Sequence, residues 1–436
     1  MSYTKKFFYI FLVVLFSTGL VFSGCKNKNN ATITLNIMGY GESSNPEGQT
    51  FKRICTEFME KYPEIKIDYE LLYDTPYHNK VLSRLESKNY PHIAYMGADT
   101  RWGTPWKEFG QQIDNTPYFP SNVDENLIPD FYGTGIKPYV PLGGLNYCTV
   151  VALNRTLLEQ IGGEIPQTYQ DFVELANLCN KAGIKCLTTH GNDSWVWGSC
   201  LLSAILARTT DDPKWIEKAV NGKVKFTDPD FVTALESVNR LVRDGILDTN
   251  SLLTDSGMAL SNFQNGKCLM YLDGQWSFGE SNLGAITQDV KLIPIPPVYG
   301  EKNKMANCIA STWQVGYGIT KEGASDPLIL DAAKKWMDFF YSRDETILRL
   351  KDGVISAPII KDFVPPEGMD PMVSEKASLS AYPSCYVIDS YLPTATNDVL
   401  NQGIKEIVAG QTTATKLAQK LQETFDLEKK DENKIN

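Results

Sequence analysis

The residues best placed to do chemistry follow a short apolar run late in the chain. In the stretch Phe263–Glu280 (FQNGKCLMYLDGQWSFGE), Lys267–Leu272 reads as a buried strand opened by Gly266 and closed by the turn Asp273-Gly274. Gln275 and Trp276 come next, at the carboxyl end of that strand, with Ser277 as a possible helix cap. Open α/β sheets bind their ligands just outside the carboxyl ends of their strands. An indole there is either a lid on the core or a platform for a flat, partly apolar ligand.

Two other strand-end loops carry a similar mixture. Gly39-Tyr40-Gly41-Glu42-Ser43 and Gly97-Ala98-Asp99-Thr100-Arg101-Trp102-Gly103 each offer an aromatic ring, a carboxylate and glycines. A fourth loop, His190–Trp197, brings Trp195 and Trp197. Trp102, Trp195 and Trp197 read equally well as half-buried packing, and Asp99 and Glu42 as loop-solvating acids or caps. Catalytic signatures are missing: there is no GxSxG, no Walker loop and no GxGxxG. His78, His92 and His190 are far apart and no CxxC occurs, so neither a metal nor a cofactor is expected.

The elements that must position these loops are read from periodicity. Residues 32–38 form an alternating strand, and a helix opened by Pro46 follows with Phe51, Ile54, Cys55, Phe58 and Met59 on one face. Strands at 65–72 and 92–96, with a helix between them, complete a βαβαβ unit and predict a parallel sheet. Residues 136–151, with Pro138, Pro141 and Gly143-Gly144, read as a crossing between domains. The pattern then restarts. Thr168 caps a helix over 169–181, a strand covers 183–187, and further strands are expected at 290–294 and 314–319. Residues 353–359 are expected as a third crossing, and 398–425 as two helices broken at Gly410. Cys179 and Cys186 flank a helix-to-strand turn and could bridge.

The chain opens with an address. Lys5-Lys6 precede the apolar run 7–22, and Phe-Ser-Gly-Cys at 22–25 resembles the bacterial lipobox, which implies lipidation of Cys25. Residues 1–24 are then a signal peptide, and 25–30 the lipidated Cys and a polar tether. Without the first 24 residues, which hold two lysines and no acid, 40 basic residues face 52 acidic ones, a net charge of −12. An acidic exported chain without a basic run is a poor nucleic-acid binder.

Taken together, Gly97–Gly103, Asn154–Leu158 with Pro166–Phe172, Phe263–Trp276, Ala357-Pro358 and Ile407–Gly410 resemble, in order and spacing, the extracellular solute-binding proteins of the sugar-binding class that serve ABC importers. The resemblance covers nearly all of the chain after the tether. It implies an α/β, two-lobe periplasmic-binding-protein-like fold, each lobe a mostly parallel sheet flanked by helices and joined by crossing strands. The lobes expected are 31–146 plus 303–350, and 147–302 plus 351–436. The resemblance further implies a monomeric, non-enzymatic receptor, anchored to the membrane by lipid, that passes a carbohydrate to permease subunits after hinge closure.

Carried over residue by residue, Trp276 takes the place of the second-lobe stacking aromatic, with Asp273 in the turn that presents it. Asp99 takes that of the first-lobe acid, with Arg101 and Trp102 beside it. Glu42 lies in the first strand-end loop, Tyr147 at the first crossing, Trp313 at the return and Trp195 in the second lobe. The chemistry suits a sugar. The C–H face of a pyranose stacks on an indole, by analogy with aromatic pairs for roughly 0.5–1.5 kcal/mol beyond area burial. Charge-assisted bonds to hydroxyls add roughly 1.5–3 kcal/mol each. Paired carboxylates and cleft aromatics would also serve a glycoside hydrolase, and the same fold takes peptides and polyamines.

Overall fold

The computed structural model describes residues 32–43, 46–355, 357–364, 366–369 and 371–435; the leader, Cys25 and the tether lie outside the described residues. Three strands predicted from alternation are present as β1 (Ile33–Tyr40), β2 (Ile65–Leu72) and β3 (Ile93–Met96). They pair in parallel with β1 central, as the two intervening helices require. Val140–Pro141 (β4) ends the first sheet. Leu145–Tyr147 (β5) crosses over, and Val150–Asn154 (β6), Lys185–Thr188 (β7), Cys268–Asp273 (β8) and Val290–Ile293 (β9) build the second sheet. Ile309–Trp313 (β10) returns to Gly316–Ile319 (β11), which lies between β3 and β4.

Each lobe has its own core. β8 is buried along its whole length, as a continuous apolar run in a two-faced sheet should be. The helix Tyr169–Lys181 opens with a reciprocal Thr168–Asp171 capping box and buries Phe172, Leu175, Ala176 and Cys179. Asp326 caps the helix Pro327–Phe340, which lays Trp336, Met337 and Phe340 on the first core. Both sheets are mixed rather than mostly parallel: β3 and β4 are antiparallel to β11, and β8 and β9 to β6. Strands that enter from the other lobe have no crossover helix to dictate parallel pairing.

The lobes are joined through a third sheet of order β12-β10-β5, where β12 is Ser384–Cys385. β12, rather than residues 353–359, therefore supplies the third paired strand. Gly353 adopts φ +77 after the helix Arg343–Lys351, and Val354, Ile355 and Ile359 turn back onto the first core. Val354, Ile355 and Ile359 thus pack with the first lobe, although the expected boundary assigned everything after 350 to the second. The apolar side chains of the expected crossing are used for packing. The eight described cysteines are all free and buried, so Cys179 and Cys186 form no bridge.

Candidate functional site

A cavity of about 160 Å³ lies between the lobes, beside the crossing sheet. Six of the nine residues singled out for ligand contact meet in or across it: Trp276, Trp195, Trp102, Trp313, Asp99 and Arg101.

The second-lobe wall is a pair of indoles. Gln275–Ser277 forms one turn of 3-10 helix directly after β8 and presents Trp276, half-buried, 5.7 Å from the ring of Trp195. Gly274 allows this, because a Cβ there would stand 2.1 Å from the Trp276 ring. The turn is fastened from below by Asp273, only 1% exposed. Its carboxylate accepts from the Gly274 amide at 2.7 Å, Ser277 Oγ at 2.6 Å and the Tyr271 hydroxyl at 2.9 Å. His190 Nε2 adds an ion pair at 3.0 Å. Asp273 was expected as a sugar contact; its oxygens are instead engaged by the chain itself. His190 and the other donors hold its carboxyl below the usual range despite burial.

The first-lobe wall is aromatic and acidic. Trp102 packs edge-on against Tyr40 at 5.1 Å and lies 4.4 Å from His78, while Tyr40 stacks on Tyr95 at 5.0 Å. Asp99 Oδ1 accepts from the Trp102 amide at 2.7 Å and so shapes its own loop. Burial pushes the Asp99 carboxyl up to about 6, with Asp389 acting in the same direction. Arg101 bonds Asp74 at 2.8 Å and faces Asp389, whose carboxylate accepts from Ser199 Oγ. Trp313 closes the floor at the end of β10, beside Phe131.

Two expected contacts lie elsewhere. Glu42 is exposed and does not line the cavity; the acid at this rim is Glu47, in the first turn of the helix Pro46–Lys61. Burial raises the Glu47 carboxyl to about 7. Tyr147 is turned into an apolar cluster with Val150, Tyr271 and Phe278. Strand alternation gives its place to Asn146, opposite Thr312 on β10, and Asn146 Oδ1 accepts from Gln275 Nε2 at 2.9 Å. Tyr73, Asp74, Ser199 and Asp389 also line the cavity without having been singled out. Glu47 carried a faint signal, since Pro46-Glu47 opens a helix after a strand-end loop. Asp389 and Ser199 carried none, being brought in from distant segments.

The arrangement offers indole faces on opposite walls, with carboxylates and amides between them that can each accept or donate to adjacent hydroxyls. Among the described residues no group of His, Cys, Asp and Glu could hold a metal ion, and no helix is long and apolar enough to cross a membrane.

Residues 42–347 match the model of the bacterial extracellular solute-binding protein family, and the chain belongs to that family, an extracytoplasmic class of binding proteins. A multiple sugar-binding protein of Streptococcus mutans is 22% identical over 236 residues, 52% of this chain and 54% of that protein. A probable sugar-binding periplasmic protein of Mesorhizobium japonicum is 26% identical over 130 residues, 29% of this chain and 30% of that protein. These alignments therefore span about half, or less, of the relatives' length. Among solved structures, a chitin oligosaccharide binding protein superposes with TM-score 0.77 at 20% identity, covering 92% of this chain and all of that one. A maltose-bound protein of T. maritima superposes with TM-score 0.70 at 19% identity, covering 91% and 99%. The shared architecture is the two-lobe periplasmic-binding-protein-like fold.

Proposed function

We propose that this chain is a lipid-anchored extracytoplasmic receptor that captures a sugar or oligosaccharide between its lobes and delivers it to the permease of an ABC transporter. The observation that carries the reading is the interlobe cavity, where Trp276 and Trp195 face Trp102 and Trp313 across a ring of carboxylates. Stacking surfaces with paired hydrogen-bonding groups are what a pyranose needs, and the named relatives and structural neighbours are sugar-binding proteins. Anchoring rests on the lipobox-like sequence at Cys25; Cys25→Ala is expected to move the protein from the membrane to the soluble fraction with binding intact.

The test is a titration calorimetry screen against maltotriose, stachyose and chitotriose, followed by Trp276→Ala with whichever binds. Losing the stack is expected to cost on the order of 2–4 kcal/mol of binding, roughly thirty- to a thousand-fold in affinity. Stability should fall by less than the roughly 3–5 kcal/mol of a core Trp→Ala change, since Trp276 is only half-buried. A destabilised variant that binds normally would overturn the stacking role. Release of new reducing ends on incubation with these sugars would favour a hydrolase.

A further inference from the structure

We infer that His190 is a positioning residue that sets the mutual angle of Trp195 and Trp276 and thereby the shape of the second-lobe stacking surface. The inference deepens the sugar-receptor reading and rests on it.

His190 opens the loop after β7 and is 2% exposed. Its two ring nitrogens are held at both ends. Nδ1 hydrogen-bonds Asp193 Oδ2 at 2.9 Å, and Nε2 lies 3.0 Å from Asp273 Oδ2 as an ion pair that lacks hydrogen-bond alignment. Asp193 belongs to the loop that carries Trp195, while Asp273 fastens the turn that carries Trp276. The imidazole thus bridges the two indole-bearing loops of this lobe, by a hydrogen bond at one end and an ion pair at the other, and its ring lies 5.2 Å from Trp195. Other bonds join the strand ends beneath it without reaching the indoles. Thr189 Oγ1 donates to the Leu272 carbonyl at 2.9 Å, and Trp197 Nε1 to the Gly191 carbonyl at 2.9 Å. These contacts hold the backbone when His190 is changed. What the change removes is the fixed spacing between the two carboxylates.

The geometry explains why an imidazole set between two carboxylates stands here. The indoles are tilted by 50° with centroids 5.7 Å apart. A planar cation hydrogen-bonded to one carboxylate and charge-paired with the other sets the spacing between them, which a neutral Gln or Asn side chain with rotatable bonds does not. A charged imidazole also neutralises the buried Asp273, so the turn can use a carboxylate, with its several acceptor sites, rather than a neutral amide.

The experiment compares wild type, His190→Gln and Asp193→Asn, with Trp195→Phe as the control that removes the indole pair. Two indoles at this separation couple, giving a paired positive and negative band in the far-ultraviolet circular dichroism that Trp195→Phe abolishes. His190→Gln is expected to reduce that couplet by half or more. Asp193→Asn, at the half-exposed end of the strut, is expected to reduce it by less and to fold normally. Affinity for the oligosaccharide found in the calorimetric screen should fall about tenfold in His190→Gln. An undiminished couplet in Asp193→Asn together with a wild-type couplet in His190→Gln would overturn the inference. So would loss of stability alone with affinity unchanged. If His190→Gln does not fold, an undiminished couplet in Asp193→Asn is sufficient to overturn it. The spectral measurement uses no sugar, so failure of the receptor reading, a wild-type protein that binds none of the three, is distinguished from failure of the strut, an unchanged couplet.

Discussion

The two walls of the cleft hold carboxylates in opposite ways. Asp99 on the first lobe and Asp273 on the second both follow a strand, at its carboxyl end or as its last residue, and burial raises the cost of charging each. Asp99 is held by the Trp102 amide and Ser390, with Arg101 only a minor influence, and its carboxyl rises to about 6. Asp273 faces His190 at 3.0 Å and its carboxyl falls below the usual range, while His190 rises to about 10. Burial alone therefore does not decide protonation; a facing cation does. The second-lobe wall is built as fixed structure, and the first-lobe wall keeps acids whose charge a ligand can still influence.

The same chemical swap on the two walls breaks this comparison most sharply. Asp273→Asn leaves the buried His190 charge with only the half-exposed Asp193 as counter-ion, and a loss approaching, at most, the roughly 3–5 kcal/mol of a broken buried pair is expected in chemical denaturation. Asp99→Asn keeps an acceptor for the Trp102 amide and removes a carboxylate that burial disfavours, so stability at pH 8 should hold or rise slightly. Equal losses in both would erase the distinction.

Gly274→Ala sharpens the second wall alone. The added Cβ would collide with the Trp276 ring, although φ −82 at this position suits any residue. An overpacking cost of about 1–3 kcal/mol is expected, with a displaced indole visible as altered tryptophan fluorescence. A variant indistinguishable from wild type would show that the turn is not close-packed.

The smallest effect is the pH dependence of the first wall. Glu47 and Asp99 have folded-state values of about 7 and about 6, both raised. The folded state then binds protons more tightly than the unfolded one. Their contribution to stability is fully present below about pH 4, the usual carboxyl range, and is lost as pH rises through 6 to 7. Melting temperature should decline over that window, and Glu47→Gln should flatten the upper part. His190, also raised, loses its contribution only above about 6.5 and toward 10. A Glu47→Gln profile parallel to wild type from pH 4 to 8 would remove Glu47 from the account.

What could be read from the sequence was what periodicity and local turns encode. The parallel β1, β2 and β3, the capped helix 169–181 and the turn that presents Trp276 all follow from residues within a few positions of one another. Glu47 was hidden because an acid in a helix's first turn is ordinarily explained by the helix dipole. Tyr147 was misplaced because a three-residue crossing strand is too short to fix which face of its alternation looks at the cleft. Asp389 and Ser199, 190 residues apart, meet only through tertiary packing. The mixed sheets arose for a related reason, since strand direction after a crossing depends on where the chain re-enters.

The crossing sheet has a mechanical consequence. β5 and β12 both hydrogen-bond to the central β10, Ser311 opposite Tyr147 and Ala310 opposite Cys385, so the chain passes between lobes as one laminated strip. Such a strip resists shear and in-plane rotation and yields chiefly to bending across its thin dimension, like a leaf spring. Opening should then follow a single arc, with the walls separating face from face rather than sliding past each other. Trp276 and Trp102 would meet any captured molecule in the same relative orientation each time the arc closes.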